Sequence, residues 1–141
     1  RDEDSFATCS SDGVVCYLST DSADPLRTFR GHTDEVNTVR WSPSKSILAS
    51  CSDDFTARLW TPDPDESPCL HELRGHQAQI YTLDWRPGAG EGAQMLATAS
   101  YDATVKLWDA ESGACVQTLV PHGEPVFAVA FSPDGSLVAS G

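Results

Sequence analysis

Three observations predict an all-β fold, a partial β-propeller with two complete four-stranded blades flanked by two incomplete ones. First, histidines recur at His32, His76 and His122, in steps of 44 and 46, and the first two follow a glycine. Second, a turn aspartate recurs at Asp12, Asp54 and Asp102, each followed six residues later by an apolar side chain, Leu18, Trp60 or Trp108. Third, an apolar run opens four residues after each of these three histidines, at Val36, Ile80 and Val126. A period just above 40 residues, built from short runs and turn residues, assigns one blade to each copy.

The elements follow in order. Residues 6–10 read as the second strand (b) of an incomplete blade, Ser11-Asp12-Gly13 as its turn, 14–18 as its third strand (c) and 26–29 as its outer strand (d). The next blade spans 36–73 and the one after it 80–119. Their first strands (a), Val36–Trp41 and Ile80–Trp85, and the counterpart at 126–131 are apolar on both faces, as in a sheet packed between neighbours. In the first of these runs Asn37, Val39 and Trp41 share one predicted face, and Val36 and Thr38 the other. Ser42-Pro43 and Ser132-Pro133-Asp134-Gly135 open turns. Strand b carries small residues (Ala49-Ser50-Cys51, Ala97-Thr98-Ala99), which permit close packing, and strand d is more polar. Two longer loops, 61–68 and 87–93, are expected on the face opposite the Gly-His loops. Gly-His, the turn Asp and a closing Trp at this spacing form the WD-repeat pattern. The chain reads as one partial propeller, 1–141, and as a piece of a larger ring, because 141 residues are fewer than a closed ring needs. By itself it is expected to expose strand edges and to aggregate without the rest of the ring.

Composition narrows the function. A net charge of −12 argues against direct nucleic-acid binding and suits a basic partner, or simply a solvated surface. No apolar run approaches the roughly 18 residues of a membrane span. The five cysteines, Cys9, Cys16, Cys51, Cys69 and Cys115, form no CxxC pair, so neither a disulfide framework nor a zinc ribbon is indicated. They read as small core residues of an intracellular protein.

His32, Ser52 and Asp54 suggest a hydrolase triad, but His76, Ser100 and Asp102 repeat it, each set closed by Trp60 or Trp108. A catalytic triad is built once, whereas a structural network is built once per blade. The expected role is therefore a hydrogen-bond network: Asp accepts in the turn, His bridges Asp and Ser, and Ser accepts the indole N–H. The glycine-rich 88–92 lacks the lysine and helix of a phosphate loop. His71 beside Cys69, with the acids of 63–66, lacks paired metal-ligand spacing. No metal or cofactor is indicated. The remaining candidate is the rim where the d–a and b–c loops meet, carrying Asp34, Glu35, Asp53, Gln77, Gln79, Tyr101 and Glu124. Acids beside an accessible aromatic suit a Lys/Arg-rich peptide; the alternative is an ordinary acidic surface.

The runs TFRGHTDEVNTVRWSP, LASCSDDFTARLW, QIYTLDWRPGAG, MLATASYDATVKLWD and PVFAVAFSPDGSLVASG carry a more specific likeness. Through them the chain resembles the transducin β-like (TBL1-type) family of WD-repeat corepressor subunits, over roughly 6–141. It departs from the repeat pattern at Pro121-His122, Thr61 and Leu18. The resemblance implies a nuclear, non-enzymatic scaffold whose partners are corepressor proteins, a class I histone deacetylase and histone tails. Two other readings are a WD-repeat substrate receptor of a ubiquitin ligase, and a propeller enzyme using the repeated Ser, His and Asp groups.

Overall fold

The computed structural model describes residues 5–43, 47–88, 94–120 and 122–141, and among them every regular element is a strand. Strands β1 (Ser5–Cys9), β2 (Val14–Ser19) and β3 (Arg27–Arg30) form a three-stranded antiparallel sheet. Strands β4 (Val36–Trp41), β5 (Leu48–Ser52), β6 (Thr56–Trp60) and β7 (Cys69–Arg74) form a complete blade. So do β8 (Ile80–Trp85), β9 (Met95–Ser100), β10 (Val105–Asp109) and β11 (Cys115–Leu119). Strands β12 (Val129–Phe131) and β13 (Val138–Ser140) pair at the C-terminal side. Each sheet is a meander, so every connection within a blade is a hairpin. The chain adopts the expected partial propeller.

The core is not one centre but a series of layers between blades. Val15, Phe29, Val36, Leu48 and Trp60 fill the first interface. Leu59, Leu73, Ile80, Leu83, Trp85 and Trp108 help to fill the second, and Val105, Val126 and Val129 the third. Each closing tryptophan thus packs toward the preceding blade. Burying one Leu- or Ile-sized side chain contributes about 1.5–3 kcal/mol, so these layers hold neighbouring blades together. Strand β5 (LASCS) is buried throughout, because small side chains on both faces let the flanking sheets close in.

Three details differ from the sequence expectation. The β4–β5 register shifts between Val36 and Thr38, and this bulge breaks the simple alternation. Val36 therefore joins Val39 and Trp41 against the first blade, while Asn37 and Thr38 both bond to the third, at the carbonyls of Ile80 and Tyr81. The final first strand begins at Val129 and not at 126; Phe127 and Ala128 instead donate their N–H groups to the Gly141 carbonyl. The cysteines are not all core residues: Cys115, on the outermost strand β11, is exposed, only Cys51 is buried, and Cys9, Cys16 and Cys69 are half-buried.

The loop 61–68 is closed by Thr61 N–H donating to the Pro68 carbonyl at 3.0 Å. It leaves β6 at Trp60, the end away from the His-bearing loop. The Arg27 guanidinium of the first blade clasps it through the carbonyls of Asp63 and Glu66. Residues 89–93 of the other long loop, most of the glycine-rich segment, and residues 1–4 lie outside the described residues.

Candidate functional site

In the turn between β5 and β6, Asp54 Oδ1 accepts from its own chain, from Thr56 N–H at 2.9 Å and Thr56 O–H at 2.6 Å. This leaves Oδ2 to accept Thr33 N–H at 3.1 Å and His32 Nδ1–H at 2.8 Å from the loop before β4. A carboxylate only accepts, so the imidazole proton sits on Nδ1 and Nε2 becomes an acceptor. Its donor is the Ser50 hydroxyl at 2.8 Å, whose oxygen in turn accepts the Trp60 indole N–H at 2.8 Å. The third blade repeats the chain: His76 joins Asp102 and Thr98, each at 2.8 Å, and Trp108 donates to Thr98 at 2.9 Å.

The bridging hydroxyl is thus Ser50 or Thr98, not the expected Ser52 or Ser100. The two ring nitrogens point in different directions, so a histidine held by the turn at Nδ1 reaches down the strand with Nε2. Ser52 and Ser100 stand level with the turn and tie it to the neighbouring loop, donating to the carbonyls of Asp34 and Ala78, both at 3.2 Å. They also accept the backbone N–H of Asp54 and Asp102, both at 3.1 Å. Thr56 and Thr104 are further members that the motif search missed; both stand two residues after the turn aspartate, which was the available signal. His122 begins a third set through Ser140 at 3.0 Å.

Burial pushes the Asp102 carboxyl up, but the Thr104 hydroxyl, the Gln77 N–H and His76 outweigh it and hold the pKa at about 2. Burial likewise opposes ionisation of Asp54, and bonds from His32 and Thr56 hold it well below the usual carboxylate range. Burial lowers the pKa of His76 against the pull of Asp102, in keeping with a neutral ring. The order Ser50–His32–Asp54 has the connectivity of a hydrolytic triad. Ser50 is nevertheless fully buried, and its hydroxyl is committed to the blade, accepting the Trp60 indole N–H while it bonds to His32.

Glycine precedes the histidine in both complete blades. A Cβ on Gly31 would lie 2.7 Å from Arg58 Nη1 and 3.1 Å from the Trp60 ring. At the turn, Gly13, Phe55 and Ala103 occupy one repeat position and all have positive φ, 77°, 69° and 65°. That conformation is open to glycine and strains the other two.

The rim residues assemble by blade. Asp53 N–H donates to the Glu35 carbonyl at 2.9 Å and Glu35 N–H to Asp34 Oδ1 at 2.8 Å, which gathers three acids at one blade. Tyr101 N–H bonds to the Gln79 carbonyl at 2.9 Å in the next. Gln77 N–H is drawn down to Asp102 at 2.9 Å, and Glu124 is exposed on the loop that leads to Val126. Asn37 joins the blades: its amide donates to Asp53 Oδ1 at 2.6 Å and to the Ile80 carbonyl at 3.0 Å. Sequence reading missed Asn37, Tyr81 and Phe127, which all stand one residue after the start of the apolar run. His71, once weighed as a ligand, bonds through Nε2 to the Glu111 carbonyl at 2.9 Å. Among the described residues no cluster of His, Cys, Asp and Glu has metal-binding geometry.

The WD domain, G-beta repeat family matches residues 23–61, 67–109 and 113–141. The WD40 repeat-containing protein HOS15 of Arabidopsis thaliana is 46% identical over 144 residues, covering 99% of this chain and 23% of that protein. The F-box-like/WD repeat-containing proteins TBL1X of Mus musculus and TBL1Y of Homo sapiens are 47% and 49% identical, each over 92% of this chain. The chain spans about a quarter of the length of these curated relatives. Together with the repeated blade and its buried network, these matches place the chain in the WD-repeat family, among proteins of the TBL1 type.

Proposed function

We propose that the protein is a non-enzymatic interaction scaffold of a nuclear corepressor assembly containing a histone deacetylase, and that its acidic rim binds basic histone tails. The observation that carries this reading is the contrast between two sets of polar groups. The Ser50–His32–Asp54 and Thr98–His76–Asp102 sets are consumed by their own blades. The acids of the rim, Asp34 and Glu35 with Glu124, are exposed, in a chain whose net charge is −12. Carboxylates gathered on loops attract Lys and Arg side chains and raise the encounter rate with basic segments. The likeness to TBL1-type proteins supports the corepressor setting and nuclear location.

The test is a pull-down from nuclear extract with the full-length protein and with a rim variant, Asp34, Glu35, Asp53 and Glu124→Lys, read by mass spectrometry. The expected result is recovery of a corepressor and a deacetylase with both proteins, and loss of histones with the variant. Ligase subunits without a deacetylase would favour a ubiquitin-ligase substrate receptor, a reading that the F-box-like names of two relatives keep in view.

A further inference from the structure

We propose that Ser67 is a phosphorylation site for a proline-directed serine/threonine kinase, and that the Arg27 guanidinium of the first blade receives the phosphate. The sequence has four Ser-Pro or Thr-Pro pairs, beginning at Ser42, Thr61, Ser67 and Ser132. The fold closes three of them. Ser42 and Thr61 are buried, and the Ser132 hydroxyl donates to Asp134 Oδ1 at 2.5 Å. Ser67 is exposed, and among the described residues neither its hydroxyl nor its backbone has a hydrogen-bond partner. Pro68 keeps the residue before it out of the helical region, in the extended form that a kinase cleft takes up. A cleft that offers no partner to the next N–H selects proline, which has none. The loop belongs to a complete blade and is held by the preceding one, so its surroundings are formed by the chain itself.

In the transfer, Ser67 Oγ attacks the γ-phosphorus of ATP. The new O–P bond forms as the bond to the β–γ bridging oxygen breaks, ADP leaves, and the hydroxyl proton passes to the base of the kinase. The receptor is already in place. Arg27 donates to the Asp63 carbonyl and, at 3.0 Å, to the Glu66 carbonyl, which belongs to the peptide unit that leads into Ser67. A guanidinium carries five N–H groups, so these two bonds leave others to face a phosphate one residue on. Asp63, Asp65 and Glu66 are exposed on the same loop and repel the new charge. Their repulsion is screened by water and salt, whereas a charge-assisted hydrogen bond to Arg27 acts at contact. The phosphate thus adds an ion pair between the first two blades, at the end of the second blade away from the acidic rim.

The experiment treats the full-length protein with a MAP kinase and ATP and maps the phosphate by mass spectrometry. Within residues 1–141, Ser67 is expected to carry it, and Pro68→Ala to cut the labelling several-fold. That variant keeps the carbonyl that Thr61 N–H bonds, so the loop stays closed. An unlabelled Ser67, equal labelling of Ser42 or Ser132, or an indifferent Pro68→Ala would overturn the site. Phosphorus NMR then follows the phosphate through a pH titration, its signal being the one missing from Ser67→Ala. A free phosphoserine loses its second proton near about pH 6. Pairing with Arg27 is expected to lower that midpoint, and Arg27→Gln to return it to about 6 or above. The same midpoint in the parent and in Arg27→Gln would overturn Arg27 as the receptor while leaving Ser67 as the site. Neither readout involves the rim, so the histone reading stands or falls separately.

Discussion

The two complete blades share an interior and differ at the rim. Inside, the His–Asp distance is 2.8 Å in both, the His–hydroxyl distance is 2.8 Å in both, and the bridging hydroxyl changes only from Ser50 to Thr98. At the rim, the Asn37–Asp53 hydrogen bond of one blade becomes the Tyr81–Tyr101 ring contact of the next. The difference teaches which groups serve the fold. A network needed to close every blade must recur with every blade, whereas a ligand crosses the ring once and asks something different of each blade it passes.

The largest expected effect tests the shared interior. Asp102→Ala strips acceptors from His76, from the Gln77 N–H and from both Thr104 donors. Leaving the buried His76 and the half-buried Thr104 donors without their charged acceptor costs about 2–3 kcal/mol, and Asp54→Ala should cost a similar amount. Urea unfolding of the full-length protein measures both. A midpoint unchanged by either substitution would break the equivalence of the two interiors.

A smaller effect comes from pH. An unfolded aspartate titrates near about 3.9, and Asp102 in the fold at about 2. The stability it contributes is complete above the unfolded value and is lost as pH falls through about 2. His76 acts with the same sign at higher pH: its folded pKa is lowered, so its contribution is complete above about 6.5 and declines below that. Unfolding midpoints should therefore fall first below about pH 6.5 and again between about pH 4 and 2. Asp102→Asn, which does not titrate, should reduce the slope in the second interval, to which Asp54 also contributes, and an unaltered slope there would remove Asp102 as one of its sources.

The smallest effect sharpens the comparison at the turn. Phe55 has φ of 69° where the first blade has Gly13, and its ring is 42% exposed. Phe55→Gly should release about 1 kcal/mol of backbone strain and raise the thermal midpoint. A lower midpoint would mean that the ring supports the fold after all.

Much of this was legible in the chain itself. The spacing of His32, His76 and His122, and of Asp12, Asp54 and Asp102, located the blades and the residues that close them, because a hairpin meander keeps sequence neighbours adjacent in space. The bridging hydroxyl was misread by two residues, since Ser50 and Ser52 are both small, polar and on the same strand. Only the direction of the imidazole nitrogens separates them. The faces of β4 were misread because a bulge is a matter of pairing with β5 and leaves no mark on its own strand. Asn37, Tyr81 and Phe127 could have been aligned by register, but nothing in their identity says that they converge.

What the sequence determined alone is therefore the repeat: a short period, turn chemistry and apolar runs are local properties, and local properties are written in residue order. What the tertiary structure decided is which surfaces of different blades meet. Asp53, Asn37 and Ile80 are brought into one hydrogen-bonded line, and Tyr81, Tyr101 and Phe127 into one aromatic cluster, only because successive sheets pack face against face. That packing is set by the volumes of Leu59, Trp85 and Trp108 between the blades, a sum over distant side chains that no single stretch of the chain encodes.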